Sequence, residues 1–446
     1  MRKWQRMAAR LGAGVLAALL AGCAAGGQRA GNAPGSADTA AQAETAEAGA
    51  DDTGAAPGGA LHMLGQSDGR AFYQGQAAGE DLGRLWVTDL AAGQTAPACT
   101  MEGCAHDTGD CPATYPWPGT SEVLALDGGW LLYPGPEKLY ISDTDGANFR
   151  ELTAVDSVDS QSYCSDGTYL YLLHTAFRPE SAPTELWCID PASGEKQVLE
   201  TFPHGTMALG AAGRTLVLCN FGAEPLPGQT AAGGDGSRFW DVAYNLDSGE
   251  ARRLGEYADN TPQTMEAYEA DPPHNTGVAR AVVDGVYYVF DFATRIVTGR
   301  DAASGETVLM SDPLPGDVFE GRGYESVQPV RVLDGWLELA YDAVDWTDQS
   351  RALFSYLVSL ETGEVRRKPD LPEIVYNGGG RQPMVFAQIG DKLLVDCRAE
   401  PYDRTDYGPD GAPYTVHSER RYLGLITAED YLNGTPNYKE VGELIL

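Results

Sequence analysis

Apolar and polar residues alternate in short runs along the chain from Leu61 onward, and turn residues separate the runs. Trp130-Leu131-Leu132-Tyr133, Tyr169-Leu170-Tyr171-Leu172-Leu173, Val286-Tyr287-Tyr288-Val289-Phe290 and Trp336-Leu337-Glu338-Leu339 are aromatic and aliphatic segments of strand length. Each follows a tight turn in a series that reads Asp68-Gly69, Asp127-Gly128, Asp166-Gly167, Gly213, Asp284-Gly285, Asp334-Gly335 and Gly390-Asp391. A second turn with an Asp/Glu-x-x-Gly core recurs within 85–94, 139–146, 186–195, 243–250, 301–306 and 357–364. There the acidic side chain is expected to cap nearby amides while Gly takes positive φ. The two turns alternate through seven units of roughly 55 residues, against 40–45 for a plain four-stranded blade. The surplus falls in polar stretches at 99–120, 221–238, 258–277 and 398–419, which read as long loops. Without convincing amphipathic helices, this pattern predicts an all-β fold, a β-propeller of seven blades. Six or eight blades are the alternatives, because the unit at 206–254 is weakly marked.

Residues 1–22 follow a different rule. Arg2, Lys3, Arg6 and Arg10 precede an apolar run, Leu11 to Ala21, that is too short to span a bilayer comfortably. The junction Leu20-Ala21-Gly22-Cys23 resembles the lipobox of bacterial lipoproteins. That resemblance implies cleavage before Cys23, diacylglycerol on its sulfur and acylation of the new amine. Two or three acyl chains hold firmly where a single chain is marginal. Residues 24–60 are rich in Ala and Gly and lack Leu, Ile, Val, Phe, Trp and Tyr, so they cannot offset their ordering entropy. As a coil they reach roughly 35 Å. The expected organisation is a lipoprotein signal peptide at 1–22, a lipidated Cys23 with a disordered linker at 23–60, and the propeller at 61–446. The expected location is the extracytoplasmic face of the cell membrane, which is the cell surface in a Gram-positive organism.

Composition narrows the partners. The 446 residues include 64 acidic and 31 basic side chains, a formal net charge of −33. Such an excess repels phosphate backbones and excludes nucleic acid. The 54 glycines and 27 prolines argue against helical bundles and coiled coils.

The second unit, residues 139–153, with Ser142-Asp143-Thr144-Asp145-Gly146 at its turn, resembles the repeat of TolB-like and WD-repeat-like propellers of the bacterial envelope. The other units are similar to the repeats of quinoprotein-like propellers. These resemblances imply a fold and a compartment, and they bring no catalytic residues. The Trp docking motifs of pyrroloquinoline quinone enzymes are not found.

Cys99, Cys104, His106 and Cys111 form the one local cluster with chemistry. Three thiolates and an imidazole within so short a span suit a tetrahedral shell around structural Zn²⁺, and Gly103 and Gly109 permit the turns. The alternatives are one disulfide with a spare thiol, natural in an exported protein, and thiols that stay reduced. Cys164, Cys188, Cys219 and Cys397 read as small core residues. With Cys23 lipidated, seven of the eight cysteines remain, and that odd number argues against a complete disulfide framework.

Several other motifs carry little. Gly65-Gln66-Ser67-Asp68-Gly69 matches G-x-S-x-G, but a strand follows it rather than the helix of a nucleophile elbow. Residues 142–149 resemble the sialidase Asp-box only in part, and that motif is itself a structural turn. Asp143-Thr144-Asp145-Gly146 has the start of a Ca²⁺ loop without the Glu at position 12, which leaves weak Ca²⁺ binding by the acidic surface. His62, His106, His174, His204, His274 and His417 contain no H-E-x-x-H pair, so a zincin is excluded. Tyr115, Trp117, Phe239, Trp240, Trp346, Tyr402, Tyr407 and Tyr414 are expected in the long loops or beside them. Of these, Trp117, Trp240, Trp346 and Tyr407 are the ligand-binding candidates, and the alternative is that they cover blade edges.

The expected function is a membrane-anchored, non-enzymatic scaffold whose propeller binds a protein or glycan ligand. The alternatives are a glycan-active enzyme that uses loop carboxylates, and a structural component of an envelope complex.

Overall fold

A computed structural model of the chain describes residues 61–445 apart from 64–69, 76–83, 107, 115–122, 127–128, 136, 156–157, 177–181, 221–237, 259–277, 317, 320–322, 346, 349, 377–378 and 408–412. The expected export signal, Cys23 and the expected linker lie outside the described residues, as do Trp117, Trp346, the Asp68-Gly69 and Asp127-Gly128 turns, and the whole G-x-S-x-G motif.

Seven antiparallel sheets follow one another along the chain, and the expected seven-bladed β-propeller is the fold. Blade 1 contains Arg70–Gly75, Arg84–Asp89 and Gln94–Pro97. Blade 2 runs from Leu124–Leu126 to Arg150–Ala154, and blade 3 from Val158–Ser165 to Lys196–Phe202. Blade 4, the weakly marked unit, has four regular strands from Thr206–Ala212 to Ala251–Ala258. Blades 5, 6 and 7 open with Val278–Val283, Gly323–Leu333 and Val385–Ile389 and close with Thr307–Met310, Val365–Arg367 and Lys439–Ile445. Between blades 6 and 7 lies a small hairpin, Ile374–Tyr376 with Gly379–Arg381. Among the described residues there is a single-turn helix, Ala428–Leu432, capped by the Thr427 side chain and placed between the last two strands.

The core is distributed over seven apolar clusters, each drawn from two neighbouring blades. One of them joins Ala71 and Leu90 of blade 1 to Ala387, Leu394, Leu423 and Leu425 of blade 7, so packing closes the ring there. The first strands of blades 3 to 6 contact one another in succession. Where blades 4 and 5 meet, Gly210 is required. A Cβ at that position would lie 2.4 Å from Val282 Cβ, too close for any larger residue.

The turns explain the repeat. Asp284 (φ 48°) with Gly285 (φ 76°), and Asp334 (φ 45°) with Gly335 (φ 76°), form two-residue hairpins with both central residues left-handed. In the second turn Asp89 accepts from Ala92 N at 2.7 Å and Asp301 from Ser304 N at 2.6 Å. Asn245 and Ser359 do the same work in blades 4 and 6. The capping residue therefore stands four positions before Gly93, Gly249, Gly305 and Gly363, one more than the expected core, and it need not be acidic.

Two segments depart from expectation. Residues 398–407 and 413–419 are strand rather than loop, because Lys392–Tyr407 and Pro413–Thr427 pair as one long antiparallel hairpin. His62–Met63 precedes the first turn of blade 1 but pairs with Val158–Ser165 on the inner edge of blade 3.

Candidate functional site

The Cys/His cluster assembles in space. The loop leaves blade 1 after Gln94–Pro97 and returns to it through a bridge between Thr114 and Arg84. In between, Cys104 N bonds Met101 O, Cys111 N bonds Thr108 O, and the Thr114 hydroxyl donates to Thr108 O at 2.8 Å. Gly103 (φ 75°) and His106 (φ 57°) take left-handed backbone, which turns the imidazole toward the thiols. One ligand atom from each of Cys99, Cys104, His106 and Cys111 lies within 4.8 Å of all the others. His106 Nδ1 is 3.4 Å from Cys111 Sγ.

Cys111 is buried, and the other three members are partly exposed. Burial, followed by the neighbouring Cys104 and Cys99 thiols, pushes the Cys111 thiol up to about 11. None of the described cysteines is in a disulfide. The four groups can hold a metal ion, and four protein ligands would leave it no open position.

The remaining candidates disperse. Trp240 and Tyr407 lie in strands, at the pairs Asn220↔Trp240 and Tyr407↔Pro413. The carboxylates of the Ca²⁺-like loop are already engaged. Asp143 accepts from Asn148 Nδ2 at 2.7 Å, and Asp145 accepts from Ala147 N and from the Thr100 hydroxyl. Cys164 and Cys219 are buried core residues whose thiols burial pushes up to about 12. Cys188 and Cys397 are partly exposed members of strands.

A set of buried carboxylates lies at the joints between blades. Asp166 of blade 3 pairs with Arg214 of blade 4 at 2.7 Å and accepts from the Tyr171 hydroxyl. Burial opposes its ionisation, but amides of Tyr169 and Thr168, Tyr171 and Arg214 together hold the carboxyl below its usual range. Asp241 of blade 4 pairs with Arg280 of blade 5 at 2.8 Å and accepts from Tyr287 of the same neighbour. Glu325 of blade 6 takes a bidentate pair from Arg295 of blade 5, at 2.9 and 2.8 Å. Glu338 of blade 6 pairs with Arg331 at 3.0 Å and accepts from Tyr431 in the short helix of blade 7. Fixed charge-assisted pairs of this kind join neighbours rigidly.

No protein-family model matches the chain, and no curated protein matches it. Among solved structures, the chain is similar to oligogalacturonate lyase from Vibrio parahaemolyticus, at 12% identity. That match covers 80% of this chain and 89% of the other, with a TM-score of 0.41. It is also similar to the β-propeller domain of the Trilobed protease from Pyrococcus furiosus, described as having an open velcro topology. There the identity is 10%, the coverage 85% and 98%, and the TM-score 0.39. Neither likeness bears on activity.

Sequence reasoning missed the arginines of the blade joints. A compositional signal existed, because 25 arginines stand beside only six lysines. In so acidic a chain that bias favours planar, bidentate, partly buried pairing over solvated surface charge.

Proposed function

We propose that the chain is a lipoprotein anchored through Cys23 on the extracytoplasmic face of the membrane. In this reading its propeller is a binding scaffold, and the Cys/His loop holds a structural metal ion. The long hairpin of blade 7 supports the scaffold reading. Its last pairing with the fourth strand is Arg420↔Ile445, and beyond it residues 401–407 and 413–419 continue as two strands. That extension is about 23 Å long at strand rise. A two-stranded ribbon is marginal in water on its own, so apolar packing of a partner on it would stabilise it. It presents Asp403 and His417, joined at 2.8 Å, with Tyr414 half exposed and Arg420 over the Tyr402 ring.

Two experiments address the two parts. Cys23→Ala is expected to move the protein from the membrane fraction to the medium, and retention at the membrane would contradict the anchor. A photo-crosslinker at Thr405 in intact cells is expected to yield a discrete adduct. Replacing residues 403–417 by Asn-Gly should abolish partner retention while the unfolding transition is preserved. Retention unchanged by that trimming would sink the scaffold reading.

A further inference from the structure

We propose that Cys99, Cys104, His106 and Cys111 bind one Zn²⁺ ion, and that this ion staples blade 1 to blade 2. The inference rests on the reading of the loop as a metal site and adds the ion's identity and its task. At the four successive joints from blade 3 to blade 7, a buried carboxylate is held by an Arg or Tyr of the neighbouring blade. At the joint between blades 1 and 2 the Cys/His loop takes that place. The loop connects blade 1 to blade 2, is bridged back to blade 1 at Arg84–Thr114, and also lies on blade 2. The Thr100 hydroxyl donates to Asp145 at 2.6 Å, and Gly146 (φ 78°) approaches so closely that a Cβ there would be 2.4 Å from Pro112 O. Cys111 is buried in the apolar cluster that Leu85 of blade 1 shares with Leu131 and Tyr133 of blade 2. A cleft of about 310 Å³, lined by Cys111, Tyr133, Gly146 and Phe149, opens along the same joint. Apolar packing alone therefore does not fill it.

The donor set selects the ion. Thiolates with an imidazole suit Zn²⁺ and disfavour Mg²⁺ and Ca²⁺, which take oxygen ligands. A tetrahedral shell with Zn–S near 2.3 Å needs sulfur atoms about 3.8 Å apart. The donor atoms here lie within 4.8 Å of one another, so each has to move by no more than about 1 Å. On binding, three Cys–SH groups release three protons to solvent and the imidazole offers a lone pair. The resulting site carries one net negative charge, and no oxidant or reductant takes part.

The test uses the full chain purified in detergent, with Zn²⁺ as the probe. Elemental analysis after dialysis should find one zinc per chain. His106→Ala and Cys104→Ser should each weaken Zn²⁺ binding by at least about 100-fold, beyond the loss typical of groups that only support a ligand. Both positions are only partly buried, so these variants avoid the folding risk of replacing buried Cys111. Hydrogen exchange with and without a chelator reads the staple itself. Metal removal should speed exchange in 84–97 and 130–154 and leave 278–359 unchanged. Stoichiometric zinc with no change in 130–154 would overturn the staple while the metal reading stands. A zinc-free native protein with a disulfide within 99–111 would overturn both.

Discussion

Arg280→Met is expected to lower the stability of the propeller by about 3–5 kcal/mol, measured by denaturant unfolding of the full chain. Asp241 is fully buried, and Arg280 is the cation that faces it, at 2.8 Å. Methionine fills much of the arginine's volume but leaves the carboxylate, among the described residues, with the Tyr287 hydroxyl as its hydrogen-bond partner in low-dielectric surroundings. Burial already pushes the Asp241 carboxyl up against the pull of Arg280 and Tyr287. In the variant it escapes the full penalty by holding a proton, which gives the loss a defined pH dependence. The unfolded Asp ionises near 3.9, whereas the folded group stays neutral to higher pH. Stability of the variant therefore falls as pH rises between those two values, by up to about 1.4 kcal/mol per pH unit. Adding Asp241→Asn should recover most of the loss, since Asn still accepts from Tyr287 and brings no charge. A single variant as stable as the parent at pH 7, or a double variant no better than the single, would remove the buried pair from the account of stability.

Tyr341→Ala should cost a similar amount, about 3–5 kcal/mol, for a different reason. Tyr341 has no exposed surface and lies in the second strand of blade 6, within the cluster shared with blade 5. Its ring stacks on Phe354 at 4.5 Å and meets the edge of Tyr356 at 5.7 Å. Alanine leaves a void that strands pinned on both sides cannot close. Tyr341→Phe keeps the rings and removes only the hydroxyl that accepts from Val318 N, so it should cost about 1 kcal/mol. Equal losses in the two variants would mean that the hydroxyl matters more than the packing.

The pattern of turns made the blades legible because each turn imposes a local demand. Asp334-Gly335 needs two left-handed residues whatever surrounds it, and that demand is written in two adjacent letters. The paired segments 398–407 and 413–419 resemble a loop in sequence because both of their faces meet solvent over much of their described length. A strand with no buried face carries no alternation for a period-two search to find. Arg280 and Asp241 stand 39 residues apart, and Arg295 and Glu325 stand 30 apart, so nothing local marks them as partners. The Cys/His group was visible for the opposite reason. Its four members fall within one loop, and the spacing of soft ligands is itself the message.

The pairing of His62–Met63 with blade 3 has a mechanical consequence. A pull transmitted through Leu61 enters the ring beside blades 3 and 4, where Leu61 N bonds Gly213 O. It does not enter where blade 7 meets blade 1, the joint that apolar packing closes. The first structure to yield is a two-residue pairing that can peel away bond by bond. While that pairing holds, the tension falls on a short leader and the closure of the ring stays outside the line of force.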